Sequence, residues 1–377
     1  MDDEKFIAHS IKIFEQKFPK KNLFLVDGDE KSLKHLGQSD KIRFFKFNNH
    51  EIILDLIIKS SNDKKVVNIF THFLNYRKAS LVNQIKNTLT FNSYWIFYGA
   101  DIYNRLYLKG RYELYDYNKN ISPFYLKLKR KLRKSYYYFN YWKEELAIKI
   151  FINDLDFFCF WNIYDFEIVK EHYETNAEFK EFIYDSFSID ELEYPRGISS
   201  LKGSKKVNCL VNHSGSLSGN HLTLLKKLNE DQIKNLINRL IVPLNYGNDK
   251  IIKMTDEFCR MNFKKEYSPI LNFLTKEQYF TMLREIDIAF FGHRRQEAGG
   301  NLTFLIAAGT KIYLRNDNNL LAYYNNLGIK IFSFEDDFNG DLSPLSLEFK
   351  QRNYALIMSK FNEDSVLNMY EKLIINS

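Results

Sequence analysis

Val207-Asn208-Cys209-Leu210-Val211-Asn212-His213-Ser214-Gly215-Ser216-Leu217-Ser218-Gly219-Asn220-His221 is the stretch that decides the fold class. Val207–Asn212 is a short apolar run with the composition of a buried strand. The run breaks at once into Gly and Ser, which favour a turn. Beyond it, Leu222, Leu225 and Leu228 fall on one side of a helix. Strand, Gly/Ser loop and helix in direct succession form the repeating unit of an α/β sheet.

The same alternation runs through the chain in both directions. Further strand candidates are Asn22–Val26, Ile42–Phe47, Val66–Phe70, Tyr94–Tyr98, Asp156–Trp161, Arg239–Leu244, Ile286–Phe291, Lys311–Leu314 and Ile329–Phe332. Between them lie amphipathic helices. Ile7, Ile11, Phe14 and Phe18 mark one stripe, and Tyr279, Met282, Leu283 and Ile286 another behind a Thr275…Gln278 capping box. Ser186–Lys206 carries Pro195, Gly197, Gly203 and four further serines, a linker composition. The expectation is two Rossmann-like domains, 1–190 and 206–377, facing across a cleft. The last helix would be able to pack back on the first domain. Ligands would sit at the carboxyl ends of the strands.

The chain has 377 residues, enough for two cores, with 45% hydrophobic and 27% charged residues. That composition excludes disorder and collagen. Three cysteines, Cys159, Cys209 and Cys259, exclude a disulfide scaffold and read as buried thiols. Aromatics reach 16%, a bias that AT-rich coding DNA also produces. The net charge of +7 suits an anionic partner: nucleic acid, a phosphorylated substrate or a membrane surface. No signal peptide and no apolar run of about 18 residues is visible, so the expectation is a soluble or peripheral protein.

Two loops are candidate anion sites. In His213–His221, free N–H groups at a helix start and the hydroxyls of Ser214, Ser216 and Ser218 face an incoming anion, and Asn220 is placed to cap the helix. A plain turn explains this loop equally well. In His293-Arg294-Arg295-Gln296-Glu297-Ala298-Gly299-Gly300-Asn301, two arginines stand beside a Gly-Gly helix start, a set suited to a diphosphate. Glu297 is placed to accept from sugar hydroxyls or to pair with Arg294 or Arg295. Asp101, after the apolar run Tyr94–Tyr98, is either a general base or an N-cap. His72, after Val66–Phe70, is either a proton shuttle or a core histidine. No metal-ligand spacing such as HExxH or paired CxxC stands out, so no metal is expected.

A basic run spans Lys127, Lys129, Arg130, Lys131, Arg133 and Lys134, interleaved with Leu126, Leu128 and Leu132. Phe124 and Tyr125 precede it, and Tyr136, Tyr137, Tyr138, Phe139, Tyr141 and Trp142 follow. Such a segment suits an anionic membrane surface, with a solvated helix face or nucleic acid as the alternatives.

From about Ser93 to Phe334 the chain resembles the bacterial TDP-N-acetylfucosamine:lipid II N-acetylfucosaminyltransferases of enterobacterial common antigen assembly. Four pieces carry the resemblance in the family's order: Tyr98-Gly99-Ala100-Asp101-Ile102-Tyr103; Leu210-Val211-Asn212-His213-Ser214-Gly215 with Asn220-His221; Val242-Pro243-Leu244-Asn245-Tyr246-Gly247; and Leu283 to Gly309 with Asp287, Arg295-Gln296 and Ala308-Gly309. The resemblance implies a GT-B fold without a metal cofactor and a TDP-sugar donor held by the C-terminal domain. It implies a polyprenyl-diphosphate-linked glycan acceptor, reached peripherally at the cytoplasmic face of the inner membrane, and no nucleic acid. It places His213, Ser214, Gly215, Ser216, Asn220, Tyr246, Arg294, Arg295, Gln296, Glu297, Gly299, Gly300 and Asn301 at the donor, with Asp101 or His72 acting on the acceptor. The alternative is a GT-B transferase with a soluble or protein acceptor. Two departures stand out. The family opens with a strand before its first helix, whereas here helix pattern begins almost at Asp3. Phe304 occupies the place of the second glutamate of the broader GT-B pattern.

Overall fold

The computed structural model describes residues 1, 5–28, 36, 42–46, 49–61, 66–116, 122–184 and 206–375. They form two compact units. The first holds the described residues from Met1 to Tyr112, from Ser122 to Tyr184 and from Glu363 onward. The second holds Glu113 to Asp116 and Lys206 to Asn362. Of the expected linker Ser186–Lys206, all but Lys206 lies outside the described residues.

In the first unit the strands are β1 (Phe24–Asp27), β2 (Ile42–Phe45), β3 (Asn68–His72), β4 (Asn92–Ile96), β5 (Phe157–Phe160) and β6 (Glu178–Glu181). The helices are α1 (Lys5–Lys17), α2 (His50–Ser61), α3 (Tyr76–Ile85), α4 (Ala100–Leu108), α5 (Pro123–Asn153) and α6 (Ile163–His172). Strands β3 to β6 form one parallel sheet in sequence order. Its centre is aromatic: Tyr94, Trp95, Phe158 and Phe160 are fully buried, each contributing roughly 1.5–3 kcal/mol. Strand β6, Glu-Phe-Lys-Glu, escapes a search for apolar runs because it is a sheet edge with both ends exposed.

Among the described residues, strands β1 and β2 pair with each other in a separate two-stranded parallel sheet. The Met1 ammonium donates to Leu25 O, and Asp27 N–H donates to Met1 O, so Met1 is held against the backbone of β1. A cavity of about 750 Å³ opens there, lined by residues of β1 and β3, by Phe14, Phe18 and Ile57, and by His72 and Lys78.

In the second unit the strands are β7 (Val207–Val211), β8 (Ile237–Pro243), β9 (Tyr267–Ile270), β10 (Ile288–Phe291), β11 (Lys311–Leu314) and β12 (Phe332–Ser333). Its helices are α7 (His221–Leu228), α8 (Asp231–Lys234), α9 (Asp249–Phe263), α10 (Lys276–Arg284), α11 (Gly299–Ala307), α12 (Leu320–Asn326) and α13 (Leu347–Phe361). The last helix, α14 (Glu363–Ile375), lies in the first unit, where Lys17 of α1 pairs with its Glu371. The six strands make one parallel sheet ordered β12-β11-β10-β7-β8-β9. The order reverses beside β7, which puts the ends of β7 and β10 at the switch point where α/β sheets bind ligands. Strand β9, Tyr-Ser-Pro-Ile, was not legible because Pro269 argues against a strand, yet as an edge it tolerates the missing donor. The capping box expected at Thr275 and Gln278 is formed on both sides.

Candidate active site

The decisive loop of the second unit follows β7. Asn212 closes the strand in the left-handed region (φ 58°), and its amide ties two loops together. Its Nδ2 donates to Gly219 O (2.8 Å), and its Oδ1 accepts from Gly292 N–H (2.9 Å). Asn220, also left-handed (φ 46°), makes a second tie: its Nδ2 donates to Gly292 O (2.8 Å) and to Leu114 O (3.1 Å). No side chain caps α7, so the expected capping role of Asn220 is replaced by loop bracing. Gly215 N–H donates to Tyr246 O (2.9 Å) and Gly215 bridges Gly247, joining the ends of β7 and β8. A Cβ on Gly247 would lie 2.4 Å from the Gly215 backbone, so this approach requires glycine.

The second loop follows β10 and is held from behind by Asn318, whose Nδ2 donates to His293 O and Arg295 O, each at 2.9 Å. The fold brings His213, His293 and Glu297 together. Their ligand-capable atoms lie within 4.8 Å of one another, a grouping that sequence spacing did not disclose because its members are up to 84 residues apart. Glu297 pairs with Arg295 (3.0 Å) and with His293 Nε2 (3.4 Å). Ser216 Oγ also lies 3.4 Å from that nitrogen. Burial, then the charges of His221 and Arg295, hold His293 well below the usual imidazole range, so it is neutral. Helix α11 starts at Gly299 behind Ala298 in the left-handed region, with no side-chain cap, and Gly299, Gly300 and Asn301 form its first turn. Tyr279 of α10 lies near Asn301. Gln296 is buried. At the place of the second glutamate, Phe304 is buried and stacked on Phe280 with centroids 4.4 Å apart, so packing replaces a carboxylate there.

The two arginines differ. Arg295 lies within the cluster beside Glu297. Arg294 turns away: its Nε and Nη2 donate to Asp116 Oδ1 (2.9 and 2.8 Å), and its Nη1 pairs with Asp317. Asp116 also accepts from Arg315 (2.7 Å) and Thr223. Burial raises the Asp116 carboxyl, but Arg315, Thr223 and Arg294 outweigh it, and the group titrates below its ordinary value. Arg294, expected at the diphosphate, is therefore neutralised by two carboxylates and serves to anchor the Leu114–Asp116 segment. Asp116, Arg315 and Asn318 gave no sequence signal, because nothing local distinguishes a surface charge from a long-range pair.

In the first unit, His72 and Asp101 are neighbours through Tyr98 and Leu74. Asp101 is 4% exposed. Its oxygens accept from Leu74 N–H (3.2 Å), Trp95 Nε1 (3.0 Å) and Tyr98 N–H (3.3 Å). It caps no helix through its own position, since Gly99 is the N-cap of α4. Burial pushes its carboxyl up to about 6, against the pull of those three donors. His72 Nδ1 lies 3.2 Å from the Tyr98 hydroxyl, while Nε2 is buried without a hydrogen-bond partner at the cavity described above. Burial, helped by the N-terminal charge and Lys78, holds His72 well below the usual imidazole range.

Helix α5 bends at Tyr141 (φ −125°, ψ 19°). Beyond the bend, Ile148, Phe151 and Ile152 are buried. Before it, Phe124 (77%), Leu128, Leu132, Tyr136 and Phe139 (84%) form an exposed stripe at helical spacing. Lys127, Lys129, Arg130, Lys131 and Lys134 are exposed beside it. Arg133 is not: its guanidinium lies 3.7 Å from the centre of the Tyr107 ring. Among the described residues no helix is long and apolar enough to cross a membrane.

Residues 173–345 match the model of a family described as 4-alpha-L-fucosyltransferase, glycosyl transferase group 56. The protein is a nucleotide-sugar-dependent glycosyltransferase. The match falls on the fucosyltransferase family type that the sequence motifs resemble. The glycosyltransferase has the GT-B fold. It is similar to sucrose-phosphate synthase from Thermosynechococcus elongatus, with a TM-score of 0.62 and 8% identity over 94% of this chain and 89% of the other. It is similar to HepE from Anabaena, solved with UDP and glucose, with a TM-score of 0.59 and 9% identity over 100% and 96%. WaaG, a glycosyltransferase of lipopolysaccharide biosynthesis, gives 0.51 and 10% over 98% and 94%.

Proposed function

We propose that this glycosyltransferase moves an amino-deoxysugar of the N-acetylfucosamine type from a TDP-sugar to a polyprenyl-diphosphate-linked glycan. One observation carries the reading. Two Gly-rich loops are braced against each other at the switch point of a parallel sheet, inside the stretch that matches a fucosyltransferase family. The starts of α7 and α11 offer backbone N–H groups to a diphosphate, and Arg295 offers a cation. Negative charge that develops on the leaving TDP is stabilised there, and transfer proceeds without a bound metal ion. Ser214, Ser216 and Tyr246 line the same loops. Arg294 positions rather than binds.

In the first unit His72 is the group that meets the acceptor hydroxyl. Asp101 is its positioning residue, because it fixes the loop that follows β3. The exposed stripe of α5, with five cations beside it, lies on the anionic inner face of the bacterial cytoplasmic membrane and brings the enzyme to its lipid-linked acceptor.

A thermal-shift series with TDP, UDP and GDP tests the donor. Ligand at 100 times its Kd adds about 2.7 kcal/mol of stability. A shift with TDP alone supports the reading, and a shift only with UDP or GDP refutes the donor class.

A further inference from the structure

His213 and His293 are set side by side by strand register. Strands β7 and β10 are parallel neighbours, with Val211 opposite Phe290. Each histidine follows shortly after its strand, so both imidazoles emerge from the same sheet end. Their ring centroids are 5.0 Å apart. The loop after β10 then returns Glu297, whose Oε2 lies 3.4 Å from His293 Nε2. One ligand atom from each of the three residues lies within 4.8 Å of the others.

Two imidazoles and a carboxylate are the protein donors of a three-ligand zinc site, which keeps a fourth position open. A tetrahedral ion with bonds of about 2.0–2.1 Å holds its ligand atoms about 3.4 Å apart. The His293–Glu297 pair already has that spacing. His213 is half-buried and supplies the remaining movement. The rest of the frame is fixed: Asn212 Oδ1 accepts from Gly292 N–H between the two histidine loops, and Asn318 Nδ2 donates to His293 O. Arg295 does not take the oxygen that faces His293. It pairs with Glu297 Oε1 (3.0 Å), and metal-bound carboxylates are commonly hydrogen-bonded in this way from outside. Its charge weakens the site, so the ion is exchangeable rather than resident. Magnesium does not suit the set, since that ion takes oxygen ligands in an octahedron.

We propose that His213, His293 and Glu297 form a reversible zinc site that switches the transferase off. The ion stands between the two braced loops, in the room that the proposed function gives to the diphosphate, and it ties Glu297 and Arg295 to the metal. Metal-free protein is the active form. The site stands on the three side chains, and only its effect on turnover rests on the donor reading above.

Calorimetry on the full chain, stripped with EDTA and dialysed, tests the site with zinc chloride and magnesium chloride. One zinc binds per chain, and magnesium gives no binding heat. His213→Ala and Glu297→Gln each lower zinc affinity at least tenfold, the scale of losing a partner at a metal site. Both metal-free variants still unfold in one cooperative thermal transition. Wild-type turnover falls as zinc is added and returns with EDTA. In His213→Ala the half-inhibiting zinc concentration rises by the same factor as the dissociation constant. Absence of zinc binding, or equal affinity in wild type and both variants, overturns the site and leaves the donor reading intact. Zinc binding at the three residues without inhibition overturns the switch. Metal-free wild type that neither binds TDP nor transfers sugar overturns the donor reading, while the zinc titration still decides the site.

Discussion

Gly292 meets Gly219 so closely that a Cβ on Gly292 would lie 2.2 Å from the Gly219 carbonyl oxygen. The contact sits between the bonds from Asn212 and Asn220, so the two donor loops touch backbone to backbone. Gly292→Ala has no flexible neighbour to displace at that oxygen. We expect a loss of about 1–3 kcal/mol, the usual cost of overpacking. Urea unfolding that gives a lower midpoint at constant slope confirms it, and an unchanged midpoint refutes it.

Arg294 and Arg295 separate by readout. Arg295→Ala weakens TDP binding, and it also costs stability because the largely buried Glu297 loses its cation at 3.0 Å. Arg294→Ala leaves Asp116 with Arg315 and Thr223 but without its bidentate partner. It costs about 1–3 kcal/mol, the penalty of a charged hydrogen bond lost in a partly buried place. The folded-state pKa of Asp116 is depressed, so its stabilisation is present above the unfolded carboxylate value of about 4 and fades as pH falls through the folded value. Equal effects of both substitutions on TDP affinity would return Arg294 to the diphosphate.

Asp101 behaves in the opposite sense. Its folded pKa is raised to about 6, so the folded state holds a proton that the unfolded chain has already lost. The stabilisation is complete below about pH 4 and is gone above about pH 6. Across that window wild type loses about 3 kcal/mol relative to Asp101→Asn, at 1.36 kcal/mol per pKa unit. Parallel stability curves for the two proteins between pH 4 and 7 would refute the shift.

His72→Ala lowers kcat at unchanged donor affinity, because His72 lies in the first unit and the donor loops in the second. Asp101→Asn lowers kcat as well, through the Leu74 and Tyr98 loop. Full turnover in His72→Ala removes it from the acceptor step.

Membrane docking is checked by flotation on vesicles with and without anionic lipid. Lys127→Gln with Lys131→Gln removes two exposed cations, each contributing about 1 kcal/mol near such a surface, so partitioning falls roughly thirtyfold. Phe139→Ser weakens binding to both vesicle types. Indifference of the wild type to lipid charge refutes docking and favours a soluble acceptor.

The His213, His293 and Glu297 group invites a chelation test. Arg295 already neutralises Glu297, so we expect EDTA to leave turnover unchanged. Loss of turnover that Mg²⁺ or Zn²⁺ restores would make the three residues ligands of a metal that transfer requires.

Sequence by itself determined the strand and helix alternation, the Thr275 capping box, and the two Gly-rich loops between strand and helix. These are legible because burial period and turn chemistry act within a few residues. It also located the basic aromatic helix, since charge and aromatic content are compositional. Tertiary structure alone decided which groups are spent. Arg294 is paired with Asp116, 178 residues away, and Arg133 is stacked on Tyr107. Asn220 braces a neighbouring loop instead of capping its own helix. Phe273 stacks on Tyr246 only through the register of β8 with β9, an edge strand hidden by Pro269. A charge, an amide or a ring has the same local signature whether solvated or engaged, and only the folded chain selects the partner that neutralises or stacks on it.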